Sequence, residues 1–144
     1  LTATYRKNTY TIQYKNITDA EKNNLNNPES YNVETETFKL KNPDTRVDED
    51  GNNVEDFLGW DDGNGNVSTE VIIGQGSTGN RTYTAVWGNG YTITYNLNDG
   101  TYTQGETNPN KYTKKTETFT LHNPSKEGYT FTGWTGSNGE NPEA

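Results

Sequence analysis

The sequence contains no cysteine and no methionine. Without a thiol there is no disulfide framework, no thiolate metal site and no cysteine nucleophile. Aliphatic residues are scarce as well. Only 26% of the chain is hydrophobic, yet 12% is aromatic, so a core has to lean on Tyr, Trp and Phe, which suits thin β-layers better than thick helical ones. No Lys/Arg cluster offsets a formal net charge of −8. Nucleic acid and anionic membranes are therefore poor partners for this surface. No apolar run approaches the roughly 18 residues of a membrane span, and no signal-like segment opens the chain. Because it starts at Leu1 and has no Met, the sequence reads as a piece of something longer, whose parent is free to be secreted or wall-anchored.

What is present is a repeat. "TETFKLKNP" at residues 35–43 returns almost unchanged as "TETFTLHNP" at 116–124, and "YTIQY" at Tyr10–Tyr14 returns as "YTITY" at Tyr91–Tyr95. The same offset of 81 residues carries Pro28 to Pro109, Tyr31 to Tyr112, Phe38 to Phe119 and Pro43 to Pro124. Beyond the Asn-Pro pair the offset falls to 74, from Trp60 to Trp134, because "DTRVDEDGNNVED" in the first copy is longer than "SKEGYT" in the second. The insertion is acidic, polar and rich in Asn, which predicts a surface loop. A unit of about 80 residues is too long for a solenoid repeat and suits a string of small domains.

Within each copy Tyr and Ile alternate with Thr or Gln, and Phe38/Leu40 and Phe119/Leu121 alternate with polar neighbours. These are strands with one buried face. Asn64-Gly65, Asn89-Gly90 and Asn138-Gly139 offer residues that accept the positive φ of tight turns. "DAEKNNL", Asp19–Leu25, with Thr18 or Asp19 as cap, predicts a short helix. "GSTGNRTYTAVW", residues 76–87, predicts a closing strand with Tyr83, Ala85 and Trp87 on one face. No such ending follows Trp134, whereas "LTATY" (Leu1, Thr2, Ala3, Thr4, Tyr5) has the pattern of one. The expected organisation is residues 1–8 as the last strand of a preceding repeat, 9–88 as a complete repeat, and 89–144 as a second repeat lacking its final strand. The expected fold class is mainly β, α+β at most.

"YTITYNLNDGT", "TETFTLHNP", "EGYTFTGW" and "GSTGNRTYTAVW" together resemble the Listeria-Bacteroides repeat, also called the internalin B-repeat, and the resemblance covers nearly the whole chain. It implies tandem small β-grasp-like domains, membership of cell-surface proteins of Gram-positive bacteria and Bacteroides-like organisms, an extracellular location, and no known catalysis. "EDFLGW", Glu55–Trp60, departs from the family pattern, which has Gly-Tyr there, and leaves the local turn open.

The single histidine, His122, falls in a predicted strand on the face opposite Phe119 and Leu121, with no nucleophile or acid at readable spacing. Its counterpart is Lys41, so it is expected to face solvent. "DEDGNNVED", Asp48–Asp56, clusters the oxygens that hard cations favour, but with Gly51 at the sixth loop position Arg46 comes first and Phe57 last, which breaks the EF-hand pattern. A solvated acidic loop is the expectation. Trp60, Trp87 and Trp134 are expected as core anchors rather than as a sugar-stacking platform, because Trp60 and Trp134 are equivalent and Trp87 lies on the inner face of its strand. No catalytic, cofactor-binding or metal-binding residue is assigned, and no cofactor is expected.

The expected role is a non-catalytic spacer or stalk of a bacterial surface protein, with no membrane contact by this segment. The alternative is an adhesive module that binds host protein or glycan through exposed tyrosines. An unfinished sheet is also a template for another strand, so Leu1–Tyr5 is expected to complete the second repeat of a neighbouring molecule, head to tail.

Overall fold

The computed structural model describes residues 1–136. In chain order the elements are β1 (Tyr10–Lys15), α1 (Asp19–Leu25), β2 (Ser30–Tyr31), β3 (Phe38–Lys39), β4 (Arg46–Val47), β5 (Asn53–Asp61), β6 (Val67–Ser68), β7 (Ile72–Ile73), β8 (Arg81–Asn89), β9 (Tyr91–Thr92) and β10 (Lys111–Tyr112). The chain is mainly β, as its alternating patterns require.

The first copy folds around β8. This strand runs parallel to β1, from Ile12↔Arg81 to Lys15↔Thr84, and antiparallel to β5, with Trp60 opposite Ala85 and Phe57 opposite Trp87. The sheet order is β2-β1-β8-β5-β4, with β6 also paired to β5, while β3 and β7 form a separate ribbon. Ile12, Tyr31, Leu40, Phe57, Trp60, Ile73, Tyr83 and Ala85 make the core. Ala85 faces the indole of Trp60, the most deeply buried large side chain, because a small residue on the central strand leaves room for a large one on its neighbour.

Between Phe57 and Gly59 the β5–β8 register slips by one residue, and the extra residue, Leu58, turns outward. This β-bulge resolves "EDFLGW": it lets both Phe57 and Trp60 face the core although they are three residues apart. Gly59 sits at φ 149°, and a Cβ there would come within 2.8 Å of Val67 Cγ1.

Thr18 caps α1 by accepting from the Glu21 N–H, and the Glu21 carboxylate accepts from the Thr18 N–H in return. Asn26, in the left-handed region, ends the helix after seven residues.

Three expectations need correction. The insertion "DTRVDEDGNNVED" is a hairpin rather than a loop, since Arg46–Val47 pairs with the start of β5 and Asp48 closes the turn on the N–H groups of Asp50 and Asn52. Asn89-Gly90 is no turn: Asn89 ends β8 and β9 begins one residue later. "YTITY" is a strand only over Tyr91–Thr92, paired with β10, and "TETFTLHNP", including His122, forms no strand. Their first-copy counterparts pair with β8 and β7, and among the described residues nothing corresponds to either strand. Leu1–Tyr5 pairs with no strand within this chain, and Leu1 and Tyr5 are exposed. The expected turn at Asn138-Gly139 lies outside the described residues.

Candidate functional site

The two copies meet along the insertion hairpin. The Thr113 hydroxyl donates to Asp56 Oδ1 at 2.7 Å, and the two side chains are the buried polar pair of the described chain, at 2% and 4% exposure. Thr45 adds a longer bond to the same oxygen. Around them Lys115 Nζ donates to the Phe57 carbonyl at 3.1 Å, Lys111 pairs with Asp48 at 3.3 Å, and the Gly90 N–H donates to the Val54 carbonyl at 2.8 Å. A Cβ on Gly90 would lie 2.7 Å from the Val54 oxygen and 3.1 Å from that of Tyr112, so only glycine lets the chain pass here.

Electrostatics hold the hairpin from the other side. Arg46 pairs with Glu21 of α1 at 2.8 Å and with Glu55 at 2.9 Å, and its guanidinium lies 3.8 Å from the centre of the Trp87 ring. The Arg46 hydrogen bonds hold the Glu21 carboxyl below its usual range. Asp48 is lowered as well, first by the Asn52 N–H, with Lys111 contributing. One hairpin thus ties the helix, the central strand and the second copy together.

The second copy reproduces the contacts of the first nearly atom for atom. Tyr14 donates to the Pro28 carbonyl at 2.6 Å and Tyr95 to that of Pro109 at 2.7 Å. Asn27 clamps the backbone of Lys41, and Asn108 clamps that of His122, each through both amide atoms. Trp60 Nε1 donates to Asn42 at 3.1 Å, Trp134 Nε1 to Asn123 at 3.2 Å. The Tyr–Trp ring centres are 5.6 Å apart in the first copy and 5.7 Å in the second; the Phe–Trp centres are 5.3 and 5.5 Å apart. Burial raises the phenol pKa of both Tyr14 and Tyr95, so each stays a neutral donor at ordinary pH.

What differs is the covering. Among the described residues no strand lies between Tyr91–Tyr95 and Phe131–Trp134, where β8 stands in the first copy, and a groove of about 990 Å³ runs there past Ile93, Tyr95, Leu121, Phe131 and Trp134. Tyr31 is 3% exposed beneath the Arg81 side chain, whereas its counterpart Tyr112 is 37% exposed.

The residues singled out from sequence fall as follows. Trp60 is fully buried; Trp87 is half-buried under Arg46 and donates to the Asn16 carbonyl; Trp134 is half-buried at the groove. His122 is exposed, 3.7 Å from the Glu106 carboxylate, with no nucleophile bonded to it. Asp48 and Asp62 each turn their carboxylate onto their own loop, and among the described residues no group of three or more His, Asp or Glu side chains is placed to hold a metal ion. Sequence reasoning missed Asp56, Thr113, Gly90 and Arg46. The signal for the first two was the unequal length of the copies together with two broken correspondences, since Asp56 aligns with Thr130 and Thr113 with Asn32.

Comparison with curated proteins and with solved structures gives no match. No helix among the described residues is long and apolar enough to cross a membrane. Comparison with family models matches residues 91–143 to the Listeria-Bacteroides repeat domain, a non-catalytic kind of domain found in bacterial surface proteins. The Tyr–Trp–Asn framework is laid down twice, and the match to the Listeria-Bacteroides repeat family falls on its second copy, over residues 91–143.

Proposed function

We propose that the chain is an extracellular, non-catalytic spacer of a bacterial cell-surface protein, built from tandem repeats whose joint is stiff. The observation that carries this reading is the buried Asp56–Thr113 hydrogen bond beside a one-residue connection at Gly90. A flexible linker would let the copies reorient freely. Here reorientation would strip a partner from a buried carboxylate, which is costly in a low-dielectric setting. A stalk needs that property, because reach depends on persistence from one unit to the next. Since the chain lacks cysteine, spin labels placed through Glu36→Cys and Glu117→Cys, at equivalent exposed positions, report the angle between copies without interference. One narrow distance population that broadens in Asp56→Ala supports the spacer. A broad population in the otherwise unaltered chain removes the basis for a stiff joint.

A second reading has its own support. Apart from Tyr5, the exposed aromatics among the described residues, Tyr91, Tyr112, Phe119 and Tyr129, all belong to the second copy, and a spacer has no need to concentrate them. They would suit an adhesive face for host protein or glycan. Screening the chain against matrix proteins and glycans, with Tyr91→Ser/Tyr129→Ser as control, separates the readings: a hit lost in the control favours adhesion.

A further inference from the structure

We propose that Asn64-Gly65, at the tip of the β5–β6 hairpin, is a self-modifying site: the asparagine cyclises onto the following backbone nitrogen and opens to isoaspartate, which releases β6 from the sheet. This depends neither on the stiffness of the joint nor on the spacer reading.

The step needs only the chain and water. The Gly65 nitrogen attacks Cγ of Asn64, the bond from Cγ to the side-chain nitrogen breaks, and the Gly65 proton leaves with that nitrogen as ammonia. One water then opens the succinimide at either carbonyl, giving aspartate or isoaspartate. A glycine nitrogen suits this attack because no Cβ hinders its swing onto the preceding side chain. Its N–H must also be free to move.

The described residues contain five steps in which Asn or Asp precedes Gly, and four of the glycines are held. The Gly51 N–H donates to the Asp48 carbonyl at 3.1 Å, that of Gly63 to Asp61 Oδ1 at 2.8 Å, that of Gly90 to the Val54 carbonyl at 2.8 Å and that of Gly100 to the Leu97 carbonyl at 2.9 Å. Among the described residues the Gly65 N–H meets no acceptor. Asp62 shapes the tip around it, accepting from the N–H groups of Asn64 at 2.8 Å and Asn66 at 3.4 Å and from the Asn66 side chain at 3.0 Å. Asn64 and Gly65 are exposed, and nothing stands within 4 Å of where a Gly65 Cβ would be, so a ring has room to close.

The chain carries its own control. Gly63-Asn64-Gly65 and Gly88-Asn89-Gly90 are the same three residues, but Asn89 ends β8 opposite Glu55, and its extended backbone and the bound Gly90 nitrogen oppose ring closure. The consequence at the tip follows from how little holds β6. It pairs through Trp60↔Ser68 and Asp61↔Val67, and the Asp62 N–H closes the loop on the Asn66 carbonyl at 3.1 Å. Isoaspartate adds a carbon to the main chain inside that loop and a second carboxylate beside Asp62, so register and charge both work against the pairing.

Peptide mapping by mass spectrometry of the whole chain, aged in warm neutral buffer, tests this. Asn64 should convert to the acid about tenfold or more faster than Asn89, where a ladder bond must open first, and the two should convert at similar rates in chain unfolded by urea. In the isoaspartate form the Asp62 amide should exchange with solvent about tenfold faster than in fresh chain. Similar rates at the two sites in folded chain, a preference for Asn64 that survives unfolding, or an Asp62 amide whose exchange is unchanged in the isoaspartate form overturns the proposal.

Discussion

Asp56 of the first copy and Thr113 of the second share a 2.7 Å hydrogen bond that neither copy can make alone. Because both groups are sealed from water, the bond has no solvent substitute when it breaks. Thr113→Val should therefore destabilise the chain by about 1–3 kcal/mol, the usual cost of leaving a buried acceptor short of a donor. Denaturant unfolding of Thr113→Val, Asp56→Ala and the double variant measures it. Strong non-additivity is expected, since the second substitution removes a bond already lost.

Two glycines should behave differently from a third. Gly59→Ala places a Cβ 2.8 Å from Val67 Cγ1 at a φ that side chains rarely adopt, and loses the bulge that turns Trp60 inward. A loss of about 1–3 kcal/mol is expected. Gly90→Ala drives a Cβ into the Val54 oxygen, so its effect should appear as disorder in the angle between copies rather than in the melting of the first. Gly74→Ala, with nothing closer than 4.0 Å and no positive φ, should be nearly silent. Thermal melts of the three, with labels across the joint for Gly90→Ala, check the set.

How legible was this in the sequence? The first copy was read well. Alternation marked β1 and the buried Leu40, and Thr18, one of two candidate caps, marked the helix start. The second copy was over-read, because "YTITY" and "TETFTLHNP" carry strand patterns that need partners to become strands. A pattern states which face would be buried; only a neighbour completes the ladder. The insertion was mistaken for a loop since its Asp, Asn and Gly residues are turn formers, yet Arg46–Val47 and Asn53–Asp61 flank a tight turn and pair across it. The joint was the least legible feature. Asp56 and Thr113 are unremarkable in composition, and their burial depends on a contact 57 residues long.

Equivalent tryptophans should differ in worth. Trp60→Ala removes a fully enclosed indole and should cost about 3–5 kcal/mol. Trp134→Ala empties a half-covered position beside an open groove, so a smaller loss is expected. Denaturant unfolding of both variants measures the difference, and equal losses would mean that Trp134 is as fully packed as Trp60.

Acid should act first through Arg46. The Glu21 carboxyl is lowered from 4.5 in the folded chain, mainly by its hydrogen bond from Arg46, so the folded state binds that proton less readily than the unfolded one. Stability from this pair is fully present above about pH 4.5 and is lost as pH falls through the lowered value. Asp48, lowered from 3.8 chiefly by the Asn52 N–H, adds a loss of the same sign at more acid pH. Glu21→Gln keeps the shape of the capping side chain and removes the titration. It should lower stability at neutral pH and flatten the slope of stability against pH below about 4.5. Because the Glu21–Arg46 pair is part-exposed, 1 M salt should shrink the neutral-pH difference. Denaturant midpoints of both chains from pH 3 to 7 decide it: parallel profiles would mean that Arg46 is held by Glu55 and the Trp87 ring without help from the helix.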